Sequence, residues 1–192
     1  MTLDEEPSDE TLMARYQEGD SKAFTIIFDR WGQRIYGFFL RSFRQQEVAN
    51  DLLQVTFMKV HQGRAAYQKN LPFKPWIFTI AARVRIDELR KRYRLPAHVG
   101  DDDVDRYEQL TADVVSADEQ MIRNHHADQI QRALDTLPES QRIAVHLHHF
   151  EGLTFAEIGR ILGASEGAAK LRAFRAYAEL RKRLRPMLGS TS

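Results

Sequence analysis

The most informative absence from this 192-residue sequence is cysteine. Without a thiol the chain cannot form a disulfide or a thiolate zinc site, and its composition suits a reducing compartment. Apolar runs are short as well, since none approaches the roughly 20 residues that a membrane-spanning helix needs. The N-terminal stretch MTLDEEPSDE is acidic and lacks the basic-then-apolar pattern of a secretory signal. We therefore expect a cytoplasmic protein without a membrane span of its own.

Signatures of catalysis are missing too. The sequence has no glycine-rich phosphate loop, no nucleophile elbow and no dinucleotide fingerprint. Histidines cluster at His146, His148 and His149, with His125 and His126 nearby, but no carboxylate completes an H-E-x-x-H pattern. Because His146 and His149 share a helical face only loosely, a metal site is disfavoured. We expect no enzymatic activity, no metal and no cofactor.

Charge is unevenly distributed, although the formal net charge is only +1. Basic residues cluster at 83–94 and again at 170–185, and acidic residues dominate 101–119 between them. Two basic patches suit a partner that carries a line of phosphates. Solvated helix faces would explain either patch alone equally well.

Apolar residues recur at spacings of three and four and almost never alternate, which predicts an all-α fold. Asp9 and Asp20 are candidate N-caps for the first two helices. A loop with two prolines is expected at 66–75. The helices predicted in the N-terminal half are 11–19, 21–43, 45–64 and 76–94.

A linker is predicted at 95–115, where Pro96, Gly100 and an acidic DDDVD run interrupt the helical pattern. Order is expected to resume at 116–119, where S-A-D-E has the form of a capping box. The predicted architecture is two small helical domains joined by a flexible acidic linker, with the parts at 9–95, 96–117 and 118–186.

The stretch GLTFAEIGRILGASEGAAKLRAFRAY at 152–177 has the pattern of an amphipathic helix interrupted by a tight turn. Thr154 and Glu157 form a capping box for the first helix, and Gly163 suits a left-handed C-terminal position. Ser165 can cap the second helix. This pattern is typical of a helix-turn-helix, in which Gly159 would let the second helix cross closely.

The second helix of this motif has two distinct faces. Small residues at helical spacing predict an inward stripe of Ala169, Ala173, Ala176 and Leu180. The opposite face carries Gly167, Leu171 and Phe174, flanked by Lys170 and Arg175. Such a mixture fits a DNA groove, where cations meet phosphates or guanine edges and apolar groups meet thymine methyls. The alternative is that Leu171 and Phe174 pack under the tail of their own domain.

Aromatic and basic residues are interleaved along 67–92. Aromatic rings can stack on unpaired bases while cations follow the backbone, and a loop containing Asn70 could hold an extruded base. For Trp76 and Phe78 a hydrophobic core is the favoured interpretation. For Tyr67, Asn70 and Arg83 a binding role is favoured.

Four stretches resemble the sigma-70 family of bacterial transcription initiation factors, and within it the small extracytoplasmic-function (ECF) group. Region 2.2 of that family is similar to NDLLQVTFMKVH at 50–61, and regions 2.3 and 2.4 are similar to LPFKPWIFTIAARVRIDELRKR at 71–92. Region 4.1 and the first helix of the helix-turn-helix are similar to ALDTLPESQRIAVHLHHFEGLTFAEIGRIL at 133–162. Region 4.2 is similar to GASEGAAKLRAFRAYAELRKRL at 163–184.

The resemblance implies a factor that performs no catalysis itself but gives core RNA polymerase its promoter specificity. Binding to the β′ clamp helices of the polymerase would involve Asp51, Gln54, Phe57 and Lys59, and the β flap of the polymerase is a second implied contact. Recognition and melting of the promoter −10 element would involve Tyr67, Lys69, Asn70, Phe73, Arg83 and Arg90. Recognition of the −35 element would involve His148, Ser165, Lys170, Leu171, Arg172, Phe174 and Arg175. An anti-sigma factor is the implied regulatory partner.

Four residues depart from the family's pattern. Ala82-Arg83 stands where many members have Arg-Asn, and Leu171 replaces a common Ser. His148 stands where an Arg often contacts phosphate. The family's base preferences therefore do not transfer directly to this chain.

Two other classes of function compete with this interpretation. A conventional helix-turn-helix regulator would bind duplex DNA alone, usually as a dimer, but it has no use for the aromatic and basic segment within 50–92. A helical protein-binding adaptor would not need the basic face of the second helix in the helix-turn-helix.

Overall fold

Helices and loops make up all of the residues that the computed structural model describes, 6–93 and 125–188, and neither range contains a β-strand. The chain divides into two compact units, 1–85 and 86–192, with the boundary inside the fourth helix. The expected linker at 96–117 and the capping box at 116–119 lie outside the described residues. No helix in the described ranges is long and apolar enough to cross a membrane.

Side-chain caps begin the first two helices. The N-terminal elements are α1 (Asp9–Gln17), α2 (Ser21–Phe43), α3 (Gln46–Gly63), a 3-10 turn at Arg64–Ala66 and α4 (Phe73–Arg92). Asp20 caps α2 as predicted, accepting hydrogen bonds from the amides of Lys22 and Ala23 at 3.0 and 3.4 Å. The predicted cap of α1 is wrong. Ser8, with extended backbone, accepts from the Thr11 amide at 3.2 Å, and Asp9 is the first helical residue.

Helix α4 begins at Phe73, three residues before the predicted start at Trp76. The Glu10 carboxylate accepts a hydrogen bond from the Phe73 amide at 2.9 Å, so a residue of α1 supplies a partner at the start of α4. Pro75 is tolerated because amides in the first turn have no partner within their own helix. Two prolines and an asparagine at 66–75 predicted a loop here. Local sequence does not reveal the Glu10 carboxylate, which lies 63 positions before Phe73.

Aromatic rings fill the core of the first unit. The Trp31 ring meets Phe73 and Phe78 edge-to-face at centroid distances of 5.6 and 6.2 Å, and Phe38 meets Phe78 at 5.8 Å. Edge-to-face pairs of this kind add about 0.5–1.5 kcal/mol beyond the area they bury. The predicted core position of Phe78 is confirmed. These contacts fix α2 against the start of α4.

Short helices and a long one form the second unit. They are α5 (His125–Asp135), α6 (Glu139–Val145), a π-helical turn at His146–Phe150, α7 (Phe155–Ile161) and α8 (Glu166–Leu188). Leu134, Leu137, Val145 and Ala176 form a buried cluster on which Tyr177 and Leu180 pack. The predicted inward stripe of α8 is confirmed, since Ala169, Ala173 and Ala176 are buried.

The helix-turn-helix forms as the sequence predicts. Thr154 and Glu157 make a complete capping box at the start of α7. Gly163 is left-handed, with φ of 61°, and the Ser165 hydroxyl accepts from the Ala168 amide at 3.1 Å. A Cβ atom at Gly159 would lie 2.8 Å from the carbonyl oxygen of Ala164. The backbone of α7 therefore touches the turn directly, which requires glycine.

Replacing Gly159 with alanine tests this contact. The new methyl group would meet backbone atoms that cannot rotate away, so we expect a loss of about 1–3 kcal/mol in the free energy of unfolding, despite the higher helix propensity of alanine. Urea unfolding of the full chain, followed by circular dichroism, measures the change.

Gly167→Ala is the matched control, because a Cβ atom there would meet only the Ser165 hydroxyl, at 3.9 Å. That variant should be neutral, or more stable by up to about 1 kcal/mol. Equal stability of the two variants would show that the contact at Gly159 is not restrictive.

Candidate functional site

The outer face of α8 presents apolar side chains amid positive charge. Leu171 is 47% exposed and Phe174 is 71% exposed, on the face opposite the alanine stripe. Lys170 and Arg175 are exposed beside them. Neither apolar side chain is covered by any part of the chain that the structure describes. The predicted exposure of this face is therefore confirmed, and the alternative of packing within the domain finds no support there.

Three further residues predicted for this surface are less open to a ligand. The Ser165 hydroxyl is engaged as the cap of α8. Arg172 is half-buried at the edge of the exposed face. The His148 ring stacks on Phe155 at 4.4 Å, and its Nδ1 donates to the carbonyl oxygen of Leu153 at 2.9 Å. These contacts orient the His148 ring against the loop that precedes α7.

In the first unit, the loop at 67–72 has a buried base and an exposed tip. The structure corrects the expected role of Tyr67 and Phe73, because both rings are buried against each other and cannot stack on a base from this position. The Tyr67 hydroxyl donates to the carbonyl oxygen of Leu71. Lys69, Asn70 and Leu71 are exposed at the tip.

Helix α1 holds this loop through polar contacts that span the sequence. The Gln17 side-chain amide donates to the carbonyl oxygens of Arg64 and Tyr67, at 2.7 and 2.8 Å. Glu18 and Lys69 form an exposed ion pair at 3.2 Å. Sequence reasoning missed Gln17 and Glu10, because nothing local to either residue signals a partner roughly 50 positions or more away.

The pKa values of Tyr67 and Glu10 are both shifted where α1 meets the loop at 67–72. Burial, reinforced by the negative charges of Glu10 and Asp9, raises the pKa of Tyr67 to about 12. For Glu10, burial alone would raise the pKa of the carboxyl group. Hydrogen bonds from the Phe73 amide, from its own amide and from Ser8 outweigh that effect, so the pKa lies below its ordinary value.

The basic run at 83–94 is not a single exposed face. Arg83 is exposed, whereas Arg85 is fully buried with its guanidinium 5.6 Å from the centre of the Phe38 ring. Arg90 is half-buried, and its guanidinium lies 3.8 Å from the Asp87 carboxylate. The angular positions of these cations around α4 therefore place some of them in the core and others on the surface.

Helix α3 exposes a mixed polar and apolar face. Asp51, Gln54 and Lys59 are exposed as expected. The expectation for Phe57 is corrected, because its ring is buried against Phe24 and Phe28 at centroid distances of 6.0 and 4.7 Å. The apolar group on the outer face is instead Met58, which is 52% exposed. Asp51 and Gln54 precede Met58 by about two helical turns and about one, so the three share a face.

Among residues 6–93 and 125–188, no group of three or more His, Asp or Glu side chains is arranged to hold a metal ion. The described surfaces present cations and apolar groups on α8, an exposed polar loop tip and a mixed face on α3.

Comparison with known proteins identifies the family. The family model described as Sigma-70 region 2 matches residues 27–95, and the one described as Sigma-70, region 4 matches residues 127–180. RNA polymerase sigma factor CarQ of Myxococcus xanthus is 38% identical over 176 residues, which cover 90% of this chain and 95% of that protein. The chain belongs to the sigma-70 family. ECF RNA polymerase sigma factor SigW of Bacillus subtilis is 30% identical, covering 89% of this chain and 94% of that protein, which confirms the ECF group.

Two solved structures share the fold. One is the sigma factor RpoE of Bartonella quintana in complex with the anti-sigma factor NepR, with a TM-score of 0.67, 24% identity and coverage of 85% of this chain and 98% of that one. Another is CnrH in complex with the cytosolic domain of CnrY, with a TM-score of 0.64, 22% identity and coverage of 96% and 99%. The predicted all-α sigma fold is confirmed.

Parts of this sigma factor lie outside the two family matches. The region 2 match begins inside α2, so α1 with its contacts to the 64–73 segment precedes it. The region 4 match ends at residue 180, whereas α8 continues to Leu188.

The contact between Glu10 and α4 predicts a pH-dependent effect on stability. Because the folded protein lowers the pKa of Glu10, the charged carboxylate stabilises the fold above the ordinary value of 4.5, and that contribution is lost as pH falls below it. Glu10→Gln should therefore lower the free energy of unfolding by about 0.5–1.5 kcal/mol at pH 7.

Urea unfolding at a series of pH values measures this difference, which should shrink as the pH falls below 4.5. Glu18→Gln, which breaks an exposed ion pair with Lys69, should have a smaller effect. A difference for Glu10→Gln that stays constant with pH would contradict the assignment.

Proposed function

We propose that this chain binds core RNA polymerase in the cytoplasm and directs it to promoters through recognition of −10 and −35 elements, with no reaction of its own. The observation that carries the proposal is the exposed face of α8. Leu171 and Phe174 stand in solvent between Lys170 and Arg175 on a helix fixed by a glycine contact. An apolar pair displayed in this way fits a major groove.

At the −35 element, Lys170 and Arg175 are proposed to hold guanine edges or phosphates, and Leu171 and Phe174 to contact thymine methyl groups. Ser165, Arg172 and His148 stay in the proposed interface as contacts at its edge. Their positions in the folded chain favour backbone contacts over base readout.

At the −10 element, the exposed loop tip is proposed to meet the melted strand. Lys69 and Asn70 supply charge and hydrogen-bonding groups, and the exposed Leu71 offers an apolar contact that the sequence did not single out. Tyr67 and Phe73 support the loop from below rather than contacting a base. Arg83 and Arg90 are proposed as phosphate contacts.

Core polymerase is proposed to dock on α3, through its β′ clamp helices. The face formed by Asp51, Gln54 and Met58, with Lys59 at its edge, combines an apolar centre with charged surroundings, as protein interfaces commonly do. Phe57 supports this face from the core. The second unit is proposed to contact the β flap.

An anti-sigma factor is proposed as the regulator. The sigma factor RpoE, which has this fold, was solved in complex with the anti-sigma factor NepR. CnrH, which also has this fold, was solved in complex with the cytosolic domain of CnrY. An inhibitor that covers α3 or the outer face of α8 would compete directly with polymerase or promoter DNA.

Substitutions on α8 should separate promoter recognition from polymerase binding. Lys170→Ala and Arg175→Ala each remove one DNA contact, worth about 1–3 kcal/mol, so promoter-specific transcription should fall by about tenfold or more. Affinity for core polymerase should not change. In vitro transcription and co-elution with core polymerase measure the two properties.

Arg183→Ala is the matched control, because Arg183 pairs with Glu179 at 2.7 Å and lies away from the exposed face. It should transcribe as the wild type does. Parallel loss of promoter use and of polymerase binding in Lys170→Ala and Arg175→Ala would refute the assignment. Tight binding of the free chain to duplex promoter DNA at physiological salt would favour a stand-alone regulator.

Met58→Asp tests the docking face. The charge should leave the fold intact because the side chain is exposed, but it should reduce co-elution with core polymerase by roughly tenfold or more, since apolar groups central to an interface dominate its energy. Leu171→Asp is the reciprocal control and should lose promoter use while keeping polymerase binding. Normal co-elution of Met58→Asp would exclude this face as the docking site.

A further inference from the structure

The exposed face of α8 continues beyond the helix-turn-helix. At about 100° per residue, eight positions between residues 170 and 185 fall in one sector roughly 140° wide. All of these positions are exposed, and none is acidic. The positions are Lys170, Leu171, Phe174, Arg175, Ala178, Arg181, Lys182 and Arg185.

Arg181, Lys182 and Arg185, here named the distal patch, lie too far along the helix to share the groove with Lys170. With a rise of 1.5 Å per residue, Arg185 is about 22 Å from Lys170 along the axis. The major groove is about 12 Å wide. A straight helix that enters the groove by its N-terminal end and crosses it would therefore present the distal patch outside the groove.

The cations of the distal patch are available to a partner. Among the described residues, Arg181, Lys182 and Arg185 form no ion pair. The neighbouring Arg183 differs, because it points to another side of the helix and is neutralised by Glu179 at 2.7 Å. Glu179, the acidic residue between 170 and 185, therefore forms its ion pair on a side of the helix away from the exposed face.

We propose that the distal patch binds the phosphate backbone of duplex DNA flanking the −35 element, independently of base sequence. The inference rests on the proposed function, since it extends the −35 contact along the same face of the same helix. Within the exposed sector, the apolar residue beside these three cations is the small Ala178. Such a surface suits a line of phosphates, whereas a docked protein would require larger apolar contact at its centre. The patch also lies beyond residue 180, where the family match ends.

The test uses the full chain bound to core polymerase on a promoter that the wild type recognises. The triple variant Arg181→Ala/Lys182→Ala/Arg185→Ala should weaken the promoter complex by roughly tenfold at physiological salt. The slope of log affinity against log salt should decrease by about 0.9 for each phosphate that the variant no longer neutralises. The same fold-change is expected on promoters that differ in flanking sequence.

Two controls match the charge change. Arg183→Ala should leave the salt slope unchanged, and Arg181→Lys/Arg185→Lys, which keeps both charges, should bind as the wild type does. Replacing the flanking phosphates with neutral methylphosphonate linkages should remove the difference between the wild type and the triple variant.

The remaining outcomes would overturn the proposal. Wild-type affinity and salt slope in the triple variant would show that the patch is only a solvated face. A weakening that persists on neutral-backbone DNA, or that accompanies weaker polymerase binding, would assign the patch to a protein partner. If the wild-type chain forms no promoter complex with core polymerase, the proposed function itself is refuted, and so is the DNA-binding role of the distal patch.

Discussion

The contact on which the DNA-facing unit depends is the approach of the α7 backbone at Gly159 to the turn before α8. A Cβ atom at residue 159 would press against the carbonyl oxygen of Ala164. This contact, the left-handed Gly163 and the buried alanines of α8 together fix the angle and rotation of the helix. Because one side of α8 is committed to the core, Leu171 and Phe174 on the other side must face outward.

A comparable arrangement holds the loop of the first unit, although with hydrogen bonds in place of a glycine contact. Gln17 binds two carbonyl oxygens at the start of the loop, and Glu10 binds the amide at its end. The aromatic rings of Tyr67 and Phe73 form the floor, so the polar tip is displayed by a rigid base. In each unit a packed scaffold presents a few exposed side chains, which lowers the entropic cost of binding.

Local signals made much of this structure predictable from the sequence. The capping box at Thr154 and the left-handed glycine at residue 163 depend on neighbours within a few positions. The faces of α8 follow from helical periodicity. The all-α fold and the exposed face of α8 could therefore be predicted from the sequence alone.

The sequence could not show in the same way which aromatic side chains are buried. Phe57, Tyr67 and Phe73 lie in segments that fit polymerase or DNA contacts, but their rings are buried. The rings of Phe57 and Phe73 pack on Phe28 and Trp31 of α2, and the Tyr67 ring packs on Phe73. Met58 escaped notice because exposure of a methionine on α3 depends on where α2 packs. Sequence periodicity gives the angle of a side chain about its own helix, and only tertiary structure shows which side other elements occupy.

The most direct measurement is promoter-dependent transcription in vitro with purified chain and sigma-free bacterial core polymerase on a pool of genomic promoter fragments. We expect new, discrete start sites that are absent without the chain and that share common elements near −10 and −35. The absence of start sites, together with a failure to co-elute with core polymerase, would contradict the proposed function.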